Sequence, residues 1–235
     1  MTTALTIERR YNGPPDSGNG GYVCGSIAEA LQTDLRVRLT RPPPLDTPMP
    51  LLPDGQDAWR LESADGTVAK AASARLTLTV PEPPRYVDAV WASQHYAGFR
   101  AHPFPECFVC GPQRRRGDGL RIFPGQLDTG LVAAPWLPAD SLDGGDGKVA
   151  VRYHWAALDC PGFFAVSDGR QAMLLGEMQA HLDRRVRVGD PCTVIGWRIG
   201  ADGRKHYVGT AIFDVEGELC ARASATWIAI EHEPA

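Results

Sequence analysis

Two stretches at the ends of the two halves of the chain can be laid side by side. "DGTVAKAASARLTL" (65–78) aligns with "EGELCARASATWIAI" (216–230), allowing a one-residue gap. Self-similarity of this kind supports a duplicated unit, which limits the architectures open to the chain. The order of elements ahead of each stretch repeats as well. In the first half "ALTIERRY" (4–11) alternates like a strand, a glycine-rich loop opens a helix from about Gly21 to Leu31, and "DLRVRL" alternates again with Leu35, Val37 and Leu39 on one face. "DAWRLESADG" and "TVAKAASARLTLTV" then read as two strands joined at Asp65-Gly66. The proline-rich "RPPPLDTPMPLLPDG" between them is not expected to sit in a central strand throughout.

In the second half "GLVAAPWLP" reads as a strand and "VRYHWAALDCPGFFAV" (151–166) as mostly helical, with Pro161 as a kink or first-turn residue. "QAMLLGEMQAHLD", "CTVIGWRIGADG", "RKHYVGTAIFDVEG" and "ELCARASATWIAI" follow as four strands, with Asp202-Gly203 and Glu216-Gly217 marking the two later turns. One helix followed by an antiparallel meander implies an α+β layer, in which the helix covers one face of a curled sheet. The expected organisation is a first unit over 1–80, a connector over 81–130 rich in Pro, Gly, Arg and aromatic residues, and a second unit over 131–235.

Composition narrows the function. With 43% hydrophobic and 22% charged residues in 235, an ordinary soluble globular protein is expected. A net charge of −4 argues against nucleic acid as a partner. No apolar run approaches the ~20 residues that span a bilayer, so no membrane association is expected. The N-terminal residues lack the apolar core of a signal peptide, which leads to a cytoplasmic expectation. Six cysteines in such a chain read as reduced thiols. Cys107 and Cys110 form one C-x-x-C in "HPFPECFVCGP". With His102 nearby they offer most of a zinc site, or they are a buried pair in a connector turn. No second C-x-x-C exists, and neither a metal nor a cofactor is expected.

Two places carry chemistry. "SGNGGYVCGSIAEAL" (17–31) puts Asn19-Gly20-Gly21 at a helix start, where bare N–H groups and the helix dipole favour negative charge. No phosphate-loop lysine follows. In the second half Asp159 lies between Leu158 and Cys160 on an apolar stretch, where a carboxylate is costly to bury unless it has partners.

Taken together, "CFVCGPQRRRGDGLRIF", "WAALDCPGFFAV" and the "NGG" loop resemble the hot-dog-fold thioesterase superfamily, nearest its phenylacetate-pathway and 4-hydroxybenzoyl-CoA thioesterase branches. The resemblance is clearest over 104–230 and looser in the first half. It implies a double hot dog: two units, each with a central helix wrapped by a curled antiparallel sheet, fused in one chain in place of a dimer. It also implies an acyl-CoA or related thioester as partner, and sheet edges suggest association of double units into a homo-oligomer. "NGG" resembles the family's histidine-glycine-glycine loop, with Asn19 in place of histidine, and "ALD" (157–159) puts Asp159 in the acidic catalytic position. The first-half counterpart of Asp159 falls near Ala28 and Glu29, and the second half lacks the glycine pair. Each half keeps a different part, so one composite site takes Asn19 and Gly21 from the first and Asp159 from the second, leaving a silent second site.

In that reading amides around Gly20 and Gly21 face the thioester oxyanion, a contribution of ~3–4 kcal/mol per donor in comparable sites; a plain glycine turn under a packed helix is the other reading. Asp159 is either general base or nucleophile, or the N-cap of a helix with Pro161 in its first turn. Asn19 either orients the substrate or caps the first helix. Arg114, Arg115 and Arg116 are the densest basic run, for coenzyme A phosphates or as a solvated turn. Trp155, Phe163 and Phe164 line an acyl tunnel or are plain core. His154 reads as structural, Glu177 lies in a strand that fixes no facing, and no G-x-S-x-G elbow is present. The alternative to a hydrolase is a non-catalytic acyl-CoA or lipid-binding hot-dog protein. A dehydratase fits less well, because "RVGDPCTV" leaves that branch's pattern after Gly-Asp.

Overall fold

The computed structural model describes residues 3–230. Eleven strands form one antiparallel sheet. The first half supplies β1 (Thr3–Thr6), β2 (Leu35–Leu39), β3 (Pro48–Pro53), β4 (Ala58–Ser63) and β5 (Gly66–Ser73), with helix α1 (Gly20–Leu31) between β1 and β2. Helix α2 (Tyr86–Gln94) and the short β6 (Gly125–Gln126) follow. The second half supplies β7 (Val132–Trp136), α3 (Val151–Ala157), α4 (Cys160–Phe164), β8 (Met173–Leu182), β9 (Cys192–Asp202), β10 (Lys205–Phe213) and β11 (Leu219–Ala229).

Across the sheet the first half runs β1-β3-β4-β5-β2. The second, taken from β7 inward, runs β7-β9-β10-β11-β8, which is the same order of first, third, fourth, fifth and second strand. The two self-similar stretches contain β5 and β11, which occupy equivalent places. The halves join where β2 pairs antiparallel with β8, Val37 opposite Met178. Alternation explains β2: Leu35 and Val37 are buried while Arg36 and Arg38 are exposed. Helices α1 and α3 pack on each other, and α4 packs on β9 and β10.

Several expected boundaries move. The strand read through Tyr11 stops at Thr6, and Arg9–Tyr11 form a 3-10 turn in which Tyr11 stacks on Tyr22 of α1 at 4.1 Å. The proline-rich stretch does supply β3. Pro48 and Pro50 pair with edge strand β1, while pairing to β4 begins only at Leu51, so these two prolines sit where β4 does not reach. The strand read as far as Val80 stops at Ser73. Beyond it Leu78 and Val80 pack on a second small core of Ala89, Ala133, Ile195, Trp197, Ala211 and Phe213. Helix α2 joins that core through Ala89, against β7, so the segment after β5 is packed structure. Among the described residues no helix is long and apolar enough to cross a membrane.

Candidate active site

The helical stretch 151–166 is broken in two. Pro161 has no N–H to continue the ladder and its ring crowds the preceding turn, so α3 ends at Ala157 and α4 starts at Cys160. Asp159 lies in the break, 1% exposed. It precedes α4 in the cap position, yet its side chain makes no capping hydrogen bond to that helix. The carboxylate turns to the start of α1 instead. Its Oδ2 accepts the Gly21 N–H at 3.0 Å and the Asn19 side-chain amide, Nδ2, at 2.8 Å. Its Oδ1 is buried with no hydrogen-bond partner. Asn19 does two things at once, since its Oδ1 also accepts the Tyr22 N–H at 2.9 Å and caps α1. Burial pushes the Asp159 carboxyl up to about 7, against the downward pull of the Gly21 N–H and Asn19.

Residues that are 138 and 140 positions apart in sequence thus meet in one hydrogen-bonded group. Gly21 is needed for the approach: a Cβ there would lie 2.6 Å from both the Asp159 Cβ and the Trp155 carbonyl oxygen. Of the two amides expected to face an oxyanion, that of Gly21 is spent on Asp159, because a helix start binds the nearest anion. The Gly20 N–H has no partner among the described residues, and Gly20 is on the wall of a cavity of ≈ 510 Å³.

Asn19, Asp159 and Phe163 also line that cavity, with Met173, Leu175 and Trp227 supplying apolar wall. Trp155 does not line it. It is buried in the main core and packs there. Phe164 turns to the aromatic cluster around Tyr96 and Phe163. The arginine run is off the wall too. Arg114 is anchored to Asp118 at 2.9 Å and to the Glu106 carbonyl at 2.7 Å, while Arg115 and Arg116 are exposed. The arginine among the lining residues is Arg41, which a density of basic residues does not single out.

A related arrangement lies at the other ends of the helices. Glu29 stands eight residues after Gly21, as Asp159 stands eight after Val151. Glu29 Oε1 accepts the Val151 N–H at 3.0 Å, and its other oxygen pairs with the Arg152 guanidinium. Carboxylates thus reach across in both directions, but the second is closed by an ion pair. His154 is structural, as read: Nδ1 meets the Ala150 carbonyl at 3.1 Å, and Nε2 accepts the Val186 N–H at 3.0 Å. Burial lowers its pKa to about 4. Glu177 is half-buried in β8.

Cys107 and Cys110 have a third thiol beside them that spacing did not reveal. The sulfurs of Cys107, Cys110 and Cys160 lie within 4.8 Å of one another, all buried. The Cys107 and Cys160 sulfurs are 3.7 Å apart. All six cysteines are free.

No protein-family model and no curated protein matches the chain. Solved structures do. A tesB protein of Mycobacterium avium subsp. paratuberculosis superposes with a TM-score of 0.58 at 14% identity, covering 91% of this chain and 87% of that one. A structure described as a candidate oleoyl thioesterase of Lactobacillus plantarum superposes with a TM-score of 0.57 at 12% identity, covering 98% and 96%. At such identities the likeness is one of fold, and it is the hot-dog fold to which the motifs pointed.

Proposed function

We propose that this chain is a thioesterase that hydrolyses acyl-CoA at one composite site built from Asn19, Gly20, Gly21 and Asp159. The observation that carries the reading is the Asp159 carboxylate, reached by Asn19 and the Gly21 N–H through one oxygen while the other is unpartnered beside an apolar cavity. Two anchored donors fix the carboxylate, and the free Oδ1 takes a proton from a water molecule. That water attacks the thioester carbonyl carbon, and the Gly20 N–H receives the charge that develops on the carbonyl oxygen. The C–S bond then breaks, and the thiolate leaves with the proton held by Asp159. Phe163 and the apolar wall take the acyl chain, and Arg41 takes a coenzyme A phosphate at the rim.

In this reading the chain is a double hot dog with units 1–80 and 131–235 joined by 81–130. The repeated strand order supports it, as does the near full-length match to two solved structures. The counterpart site at Glu29 is silent because Arg152 occupies its carboxylate. Six free thiols support a cytoplasmic setting.

The test is thiol release from a panel of short, long and aromatic acyl-CoAs by wild-type protein and Asp159→Ala. Turnover that collapses in a folded variant supports the reading. Binding of acyl-CoA without turnover of any member moves the chain to the non-catalytic alternative.

A further inference from the structure

The three cysteines come from two separate segments. Cys107 and Cys110 lie in a connector turn, and Cys160 is the first residue of α4. The turn is tight: the Gly111 N–H donates to the Cys107 carbonyl at 2.9 Å, and a Cβ on Gly111 would meet backbone atoms of Cys107 and Pro105 at 2.6 Å. Donors also converge on the sulfurs. The Asn19 amide approaches the Cys107 sulfur at 3.9 Å, and His102 Nε2 lies 3.3 Å from the Cys110 sulfur. His102 Nδ1 accepts the Phe104 N–H at 3.0 Å, so the proton of a neutral ring sits on Nε2 and points at that sulfur. Donors aimed at sulfur suit thiolates, and three buried thiolates need a cation.

We propose that Cys107, Cys110 and Cys160 bind one zinc ion as three thiolates, with the fourth position held by a solvent molecule on the cavity side. Zinc–sulfur bonds of ~2.3 Å in a tetrahedron put neighbouring sulfurs ~3.8 Å apart. The Cys107–Cys160 separation of 3.7 Å already has that length. A disulfide needs ~2.05 Å and leaves the third thiol unused. Thiolate ligands select zinc over hard cations. Binding releases the three thiol protons to solvent and changes no oxidation state. His102 stays outside the ligand set, because ligation through Nε2 would put a proton on Nδ1 against the Phe104 N–H. The ion ties the connector turn to the start of α4, next to Asp159, and so acts as a clamp on that wall of the cavity.

The full chain, expressed with zinc and dialysed against metal-free buffer with a phosphine reductant, is expected to retain about one zinc per chain by mass spectrometry. Cobalt exchange should give a thiolate-to-cobalt charge-transfer band with the intensity of three sulfurs and the visible bands of a tetrahedral centre. Cys160→Ser should weaken or abolish the charge-transfer band, Cys220→Ser should leave it unchanged, and His102→Gln should keep the metal. The wild-type band intensity counts the thiolates by itself if Cys160→Ser fails to fold. A folded, reduced protein that retains no zinc and develops no charge-transfer band overturns the proposal. So does a disulfide among the three, or loss of the metal in His102→Gln with retention in Cys160→Ser. None of these outcomes depends on hydrolytic activity.

Discussion

Replacing Gly21 with alanine tests the geometry of the site at its tightest point. The new methyl would stand 2.6 Å from the Asp159 Cβ and 2.6 Å from the Trp155 carbonyl oxygen. Ordinary carbon contacts are ~3.5–4.0 Å, so α1 and the α3–α4 break must part by ~1 Å. The Gly21 N–H to Asp159 bond, 3.0 Å at present, would then leave hydrogen-bonding range. A hydrogen bond to a charged group contributes ~1.5–3 kcal/mol. Alanine returns up to ~1 kcal/mol through helix propensity. The net expectation is a loss of ~0.5–3 kcal/mol, read as a lower urea midpoint with unchanged slope. A displacement of ~1 Å at a reacting group costs ~10²-fold in rate, read by thiol release. Gly200→Ala is the control, because its nearest contact is 3.8 Å away. A Gly21→Ala protein with wild-type midpoint and wild-type turnover would refute the packing argument and the role of the Gly21–Asp159 contact together.

Two further outcomes are expected. His154 is neutral when folded down to about pH 4, whereas an unfolded histidine takes its proton near 6.5. The unfolded state therefore binds more protons at this site in that window, and the His154 contribution to stability should fall by about 3 kcal/mol as the pH drops from 6.5 to 4, while Asp159, with its carboxyl raised to about 7, contributes with the opposite sign. The difference between urea melts of wild type and His154→Gln isolates the histidine, and it should shrink in favour of the variant as the pH falls. Arg41→Ala should raise KM about tenfold for acyl-CoA and leave the corresponding acyl-pantetheine unaffected, whereas Arg114→Ala should lower the melting temperature without a selective change in KM.

Local pattern carried most of the fold. Strand β2 follows from alternation, whereas β8–β11 follow from strand-forming runs between turn residues; β9 and β10 each bury six residues in succession, so period two does not mark them. The break at Asp159 follows from Pro161, whose missing N–H acts locally. What local pattern could not carry is direction in space. Asp159 reads equally well as a cap, and only the pairing of β2 with β8 brings α1 and α3 together and turns the carboxylate toward Gly21. Cys160 is unremarkable 50 residues from Cys110 until the helix break sets it beside the connector turn. Charge density says nothing about facing: Arg114 ties its loop to the Arg10 carbonyl and to Asn12, Arg115 and Arg116 are exposed, and Arg41 is the arginine among the cavity's lining residues.

The most direct test of the central claim compares kcat for the preferred acyl-CoA in wild type, Asp159→Asn and Glu29→Gln. These are the two carboxylates that reach across to the opposite helix. A single composite site predicts that Asp159→Asn loses ~10²–10⁴-fold while Glu29→Gln stays near wild type. Equal turnover in Asp159→Asn and wild type, or a collapse in folded Glu29→Gln, would contradict it.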